Sequence, residues 1–228
     1  MARWWWVLLP GMIGVLYLDL LGSPDDALLG SSQRIFYVHM GAATVVAVAF
    51  TVTAAASVGY LVTGRLAWDR WAAASAEVGT LFTTMVLITG ILWGRVAWGV
   101  WWTWDPRLTS TLILWVLFMG YLVMRDSAVT VERRARMSAV LALLCYLDVP
   151  LDYLTIRWWK SIHPVVITEH GINMARSMIV AMVASMVAML FLYGAWVKLR
   201  VRLLAVEQEI EEKKAEVRIK LNSERWGD

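Results

Sequence analysis

Six long stretches of this chain, at about 4–21, 35–63, 76–96, 108–124, 135–156 and 177–197, are almost purely apolar. No other feature limits the fold so sharply. Backbone N–H and C=O groups placed in hydrocarbon find no water, so a spanning segment must satisfy them internally, as a helix does. Apolar runs of this length are the signature of such helices. The composition agrees, with 60% hydrophobic residues against 17% charged. The expected fold is all-α: an integral membrane bundle of six transmembrane helices. The second stretch is longer than a bilayer requires, so that helix is expected to tilt or to extend beyond it.

The first stretch, "WWWVLLPGMIGVLYLDLL", has only Arg3 before it and no A-x-A-like site after it, so it is expected to remain as a span. Charge then sets the orientation. With the N-terminus in the cytoplasm, 15 of the 21 Lys and Arg residues fall on the cytoplasmic side and 6 on the outer side. That is the bias the positive-inside rule requires. Connections 22–34, 97–107 and 157–176 then face outward, while 64–75, 125–134 and the C-terminus face the cytoplasm. The net charge of +3 reflects this topology and implies membrane lipid as the surroundings, with no nucleic acid. The single cysteine, Cys145, lies inside the fifth span. Disulfides, a Cys-x-x-Cys redox pair and Cys-x-x-Cys-His heme attachment within this chain are therefore excluded. No P-loop sequence occurs, so ATP hydrolysis by that route is excluded as well.

"WGVWWTWDPRLTS", residues 98–110, places Trp98, Trp101, Trp102 and Trp104 just before Asp105 and Pro106. Interfacial belts account for Trp4, Trp5, Trp6, Trp68, Trp71 and Trp196. A belt residue sits singly at a helix end, however, whereas this cluster must turn back into the next span. A second pair, Trp158–Trp159, lies in another outer connection. Residue types alone leave two readings open: a flat-walled cleft for a large planar ligand, or a belt combined with loop packing. The three histidines, His39, His163 and His170, all fall on the outer side. One alone would be read as a neutral ring bonded between helices. Two converging near a tryptophan shelf point to heme iron, whose usual axial ligand is neutral imidazole. Arg34, Arg107 and Arg176 are then the available forks for propionates. His163 precedes Pro164, which favours an extended ligand loop.

The acidic residues are expected to serve structure. Asp148 and Asp152 flank Pro150 at i,i+4 and share a face near an expected kink. Bonds to freed backbone groups or to Tyr153 are expected there, rather than a proton path. Asp19 and Glu77 lie close to span ends, where they can be hydrated. Beyond residue 199 the composition changes abruptly, which divides the chain into a membrane domain, 1–199, and a charged cytoplasmic helix, 200–228. Glu209/Lys213 and Glu216/Lys220 are i,i+4 pairs on that helix. Leu203, Ile210 and Val217 recur at seven-residue spacing, but a solvated helix is expected rather than a partner-facing stripe.

The run at 98–110 resembles the WWD signature, roughly W-G-x-W-W-x-W-D-x-R-L-T-S, of the heme-handling proteins of cytochrome c biogenesis. Within that superfamily the chain resembles the CcmC (heme exporter protein C) family over nearly its whole length. "RIFYVHMGAA" is similar to the family's first histidine region and "RWWKSIH" to its second. The resemblance implies a bacterial inner-membrane location, six helices with an outer-facing WWD segment, and heme b held at the outer face. His39 and His163 match the axial-ligand positions. Trp98, Gly99, Trp101, Trp102, Trp104 and Asp105 match the WWD platform, and Trp158 and Trp159 match the pair before the second histidine. Arg107 is the first choice of propionate partner, with Arg34 beside it. The resemblance further implies transfer of heme to the chaperone CcmE, with CcmD and the CcmA–CcmB ABC transporter as partners. Where the family usually has Gln after the second histidine, this chain has Pro164. His170 is an additional histidine, expected at the surface.

The expected role is therefore heme transfer, without conventional enzyme chemistry. A cytochrome c heme lyase generally carries more spans and more histidines. A b-type redox subunit usually needs two hemes, or a heme and a quinone pocket, across the membrane. A permease or scaffold with an aromatic belt predicts no heme.

Overall fold

The computed structural model describes residues 5–127, 130–163, 167–168, 171–172 and 174–226. It is a helical bundle: α1 (Trp5–Tyr17), α2 (Arg34–Thr63), α3 (Leu66–Trp98), α4 (Pro106–Asp126), α5 (Val131–Tyr146), α6 (Asp148–Trp158) and α7 (Arg176–Trp226). A short antiparallel pair, β1 (Ile167–Thr168) and β2 (Gly171–Ile172), precedes α7. Among the described residues, five helical segments are long and apolar enough to cross a membrane, α5 and α6 together making one of them. The chain is thus a multi-pass membrane protein. The first apolar stretch forms a shorter helix, α1, continued by a π-helical turn at Leu18–Gly22.

Helix boundaries follow local chemistry. Gly64, at φ 68°, closes α2 in the left-handed conformation that glycine adopts without penalty, and its N–H donates to Tyr60 O at 2.8 Å. α3 then begins at Leu66, so the expected connection 64–75 shrinks to Gly64 and Arg65, and Arg70 stands on the helix. The early start of α3 has a physical cause. Asp69 sits in the favourable first turn of α3 and is buried against Arg125 of α4 at 2.7 and 2.6 Å, which packs the start of the helix. The fifth stretch breaks at Leu147, between α5 and α6. Pro150 has no N–H for the carbonyl four residues back, at Tyr146, and its ring crowds that carbonyl.

Small residues let the long helices approach. A Cβ on Gly41 of α2 would stand 3.0 Å from Ser185 O of α7, and one on Gly79 of α3 would stand 2.9 Å from Phe50 Cε1 and 3.0 Å from Ala49 Cβ of α2. Phe50 stacks on Phe118 of α4 at 3.6 Å between centroids. Polar side chains bond across the seams, Ser75 to Ala49 O at 2.6 Å and Trp115 Nε1 to Thr84 Oγ1 at 2.8 Å. Gly79→Ala should therefore destabilise the bundle by about 1–3 kcal/mol through overpacking. Gly120→Ala, where a Cβ meets nothing within 4 Å, should be neutral or stabilising. Thermal unfolding in detergent compares the two.

Two acidic residues are less hydrated than their position near span ends suggests. Asp19 is wholly buried, because the π-helical turn aims it at α7, where Ser185 Oγ donates to it. Glu77 is half-buried and takes both Nε and Nη2 of Arg200. α7 runs unbroken for 51 residues, roughly 75 Å at 1.5 Å per residue. That length far exceeds a hydrocarbon core of about 30 Å, so part of α7 must project beyond it. Every side chain from Glu209 to Leu221 is exposed, as the alternating charges predict.

Candidate functional site

One cavity lies among α2, α3, α4, α6 and the segment carrying His163, enclosing about 1090 Å³ with its open mouth included. His39 reaches it from the second turn of α2, and His163 reaches it from the segment after α6. The fold thus brings to one space two imidazoles that are far apart in the chain.

The aromatic walls come mainly from α3. Trp93 and Trp98 pack edge-to-face at 5.4 Å and 89°, and Phe36 of α2 lies 6.5 Å from Trp93. Trp98 also faces the His163 ring, at 6.4 Å and 60°. Gly94 permits this fold-back, since a Cβ there would be 3.0 Å from the Trp98 ring. Gly99, at φ 76°, ends α3, and the chain turns so that Trp102 also lines the cavity. Two buried indole donors here, Trp93 Nε1 and Trp102 Nε1, find no acceptor among the described residues. A ligand bearing acceptors at its edge would suit them.

The other tryptophans of the run do not line the cavity. Trp101 is 58% exposed and lies under the Arg95 guanidinium at 5.6 Å, and Arg95 also donates to Gly99 O. Trp104 is 76% exposed and packs edge-on to Trp102 at 5.9 Å. Trp158 and Trp159 are exposed and contact each other at 6.0 Å, outside the cavity lining. Arg34 lies away from the lining as well, paired with Asp25 at 2.9 Å. His170 and Pro164 lie outside the described residues.

Arg107 and Asp152 form the charged part of the wall. Arg107 Nη1 donates to Asp152 O at 2.9 Å, and its Nε lies 3.4 Å from Asp152 Oδ2. Asp152 Oδ1 accepts from Ser110 at 2.6 Å and Thr111 at 2.8 Å. Asp152 therefore joins α6 to the start of α4, rather than bonding to Tyr153 as the sequence suggests. Its role is structural nonetheless, and it holds the Arg107 fork against the cavity.

Asp105 carries the second well-bonded carboxylate of the site. It caps α4, accepting from Arg107 N at 3.0 Å with Pro106 in the first helical position. It also accepts from Ser161 Oγ at 2.9 Å and Ile162 N at 2.8 Å, while Ser161 Oγ accepts from His163 N at 3.0 Å. The aspartate of the tryptophan run thus fastens the segment that carries the second histidine. His39 is supported differently: its Nδ1 lies 2.9 Å from Thr89 Oγ1 of α3. Sequence reasoning missed Phe36, Thr89, Gly90 and Trp93. Trp93 and Phe36 stand one turn from Gly90 and His39 respectively, a helical spacing that offered the only available signal.

Among the described residues no group of three or more His, Cys, Asp and Glu could hold a bare metal ion. Two imidazoles beside flat aromatic walls suit a metal that brings its remaining ligands with it. Comparison with known proteins agrees with this chemistry. Residues 1–216 match the family model described as heme exporter protein C. The heme exporter protein C of Bradyrhizobium diazoefficiens is 33% identical over 180 residues, 78% of this chain and 68% of that protein. A ccmC-like mitochondrial cytochrome c biosynthesis protein of Marchantia polymorpha is 30% identical over 188 residues, 82% and 80% of the two chains. The heme exporter protein C of Escherichia coli is 32% identical over 142 residues, 62% of this chain and 58% of that protein.

Proposed function

Since the chain belongs to the heme exporter protein C family of cytochrome c biogenesis, we propose that it binds heme b in the His39–His163 cavity at the outer face of the cytoplasmic membrane and presents it to the heme chaperone CcmE. The observation that carries this reading is the convergence of both imidazoles on one aromatic-walled cavity. His39 and His163 are the axial ligands. Trp98 and Trp102 cover the macrocycle, with Trp93 and Phe36 behind them. A propionate meets Arg107 and the free indole donors, since a guanidinium fork binds a carboxylate well. Trp101, Trp104, Trp158 and Trp159, exposed outside the lining, are left for the vinyl edge and the chaperone. Residues 1–199 form the heme-handling part, with both termini in the cytoplasm, and 200–228 form a charged cytoplasmic segment.

The chain has no P-loop of its own, so work on the cargo comes from partners, CcmD and the CcmA–CcmB transporter. Ligation by two imidazoles opposes release. Handover therefore requires a partner or an ATP-driven motion that interacts differently with the bound and released states.

An absorption spectrum tests the assignment. The protein as isolated should show a Soret band, reduced or shifted in both His39→Ala and His163→Ala. Unchanged spectra in both variants would remove the ligand assignment, and loss on His170→Ala alone would transfer the role to that residue.

A further inference from the structure

Resting on the reading of His39 as an iron ligand, we propose that Thr89 is a positioning residue that keeps the His39 proton on Nδ1, so that Nε2 is the nitrogen offered to the cavity. A neutral imidazole has one N–H, and the hydrogen bond made by one nitrogen decides the state of the other. His39 Nδ1 lies 2.9 Å from Thr89 Oγ1. A hydroxyl has a single proton, and Thr89 aims its own back along α3, with Oγ1 2.7 Å from Met85 O and 3.2 Å from Val86 O. Lone pairs then remain toward the histidine, so Nδ1 is the donor.

The next residue fixes where the ring lies. A Cβ on Gly90 would stand 3.3 Å from His39 Cε1 and 3.8 Å from Nδ1. The imidazole therefore rests close against α3, where a Cβ in place of the glycine hydrogen would press on the ring. Thr89 and Gly90 together form a seat that sets both the direction of the ring and the position of its proton. Donation from Nδ1 makes Nε2 a stronger ligand, and outer partners of this kind are worth about 10–100-fold in metal affinity.

The proton can be located in the full-length, heme-free chain with isotope-labelled histidine and magnetic resonance. His39 Nδ1 should give the signal of a protonated nitrogen, and a protonated Nε2 would overturn the proposal. With hemin as the probe, Thr89→Val keeps the volume and loses the acceptor. It should weaken binding by about 10–100-fold and raise the heme midpoint potential, and Thr89→Ser should restore both. Where valine does not fold, Thr89→Ala stands in on the same criteria. Unchanged affinity and potential, or no recovery with serine, would also overturn the seat. His39→Ala, run alongside, separates the two ideas. A hemin spectrum that survives it removes His39 as a ligand, while a lost spectrum with a wild-type Thr89→Val refutes the seat alone.

Discussion

Asp105→Ala should lower heme affinity about 10–100-fold, the usual effect of removing an outer partner of a ligand, and should destabilise the bundle by about 1–3 kcal/mol. One side chain carries both effects. Its carboxylate caps α4 at Arg107 N and holds Ser161 and Ile162 of the His163 segment. Alanine leaves the Ile162 N–H and the Ser161 hydroxyl without their acceptor and the helix without its cap. Asp105→Asn keeps one acceptor oxygen and should fall between alanine and the wild type. Ser161→Ala isolates the second function: it should cost affinity for hemin with little change in unfolding temperature, because the α4 cap is untouched. Hemin titration and thermal unfolding measure the two effects separately. Equal affinities for wild type and Asp105→Ala would show that the fastening does not bear on ligation.

Arg125→Ala should cost about 3–5 kcal/mol, the penalty for leaving a buried carboxylate without its partner. Arg125 and Asp69 form a bidentate pair with side chains 8% and 5% exposed. The pair joins α4 to the first turn of α3, at the opposite end of α3 from the tryptophan run. The desolvation cost of both ions offsets much of their attraction, so the pair itself contributes less than either single deletion suggests. The double variant Asp69→Leu/Arg125→Met should therefore recover most of the loss. Unfolding in detergent distinguishes the cases, and a double variant no better than Arg125→Ala would mean that the pair is needed for more than charge balance.

The sequence makes the bundle legible because each span is long, apolar and interrupted by chemistry that breaks helices. Gly64, Gly99 and Pro106 lie at the actual ends of α2, α3 and α4. The start of α3 is less legible, because Arg70 and Asp69 read as connection when burial and pairing are invisible. Asp19 misleads for the same reason: nothing in its neighbours announces that a π-helical turn will press it onto Ser185. In the candidate site, the two histidines and the tryptophan run stand out by residue type, and the structure places His39, His163, Trp98 and Trp102 on one cavity. It sets Trp101, Trp104, Trp158 and Trp159 outside the lining, a distinction that a linear cluster of indoles cannot express. Thr89 and Gly90 are ordinary helix residues until α2 is packed against α3. Their relation to His39 exists only in three dimensions.

The two imidazoles are mounted unequally. His39 is embedded in a thirty-residue helix and braced by the helix beside it. His163 follows α6, where the Asp105 carboxylate holds Ser161 and Ile162. A metal held between them would have one jaw set in a regular helix and the other fastened through the cap of α4.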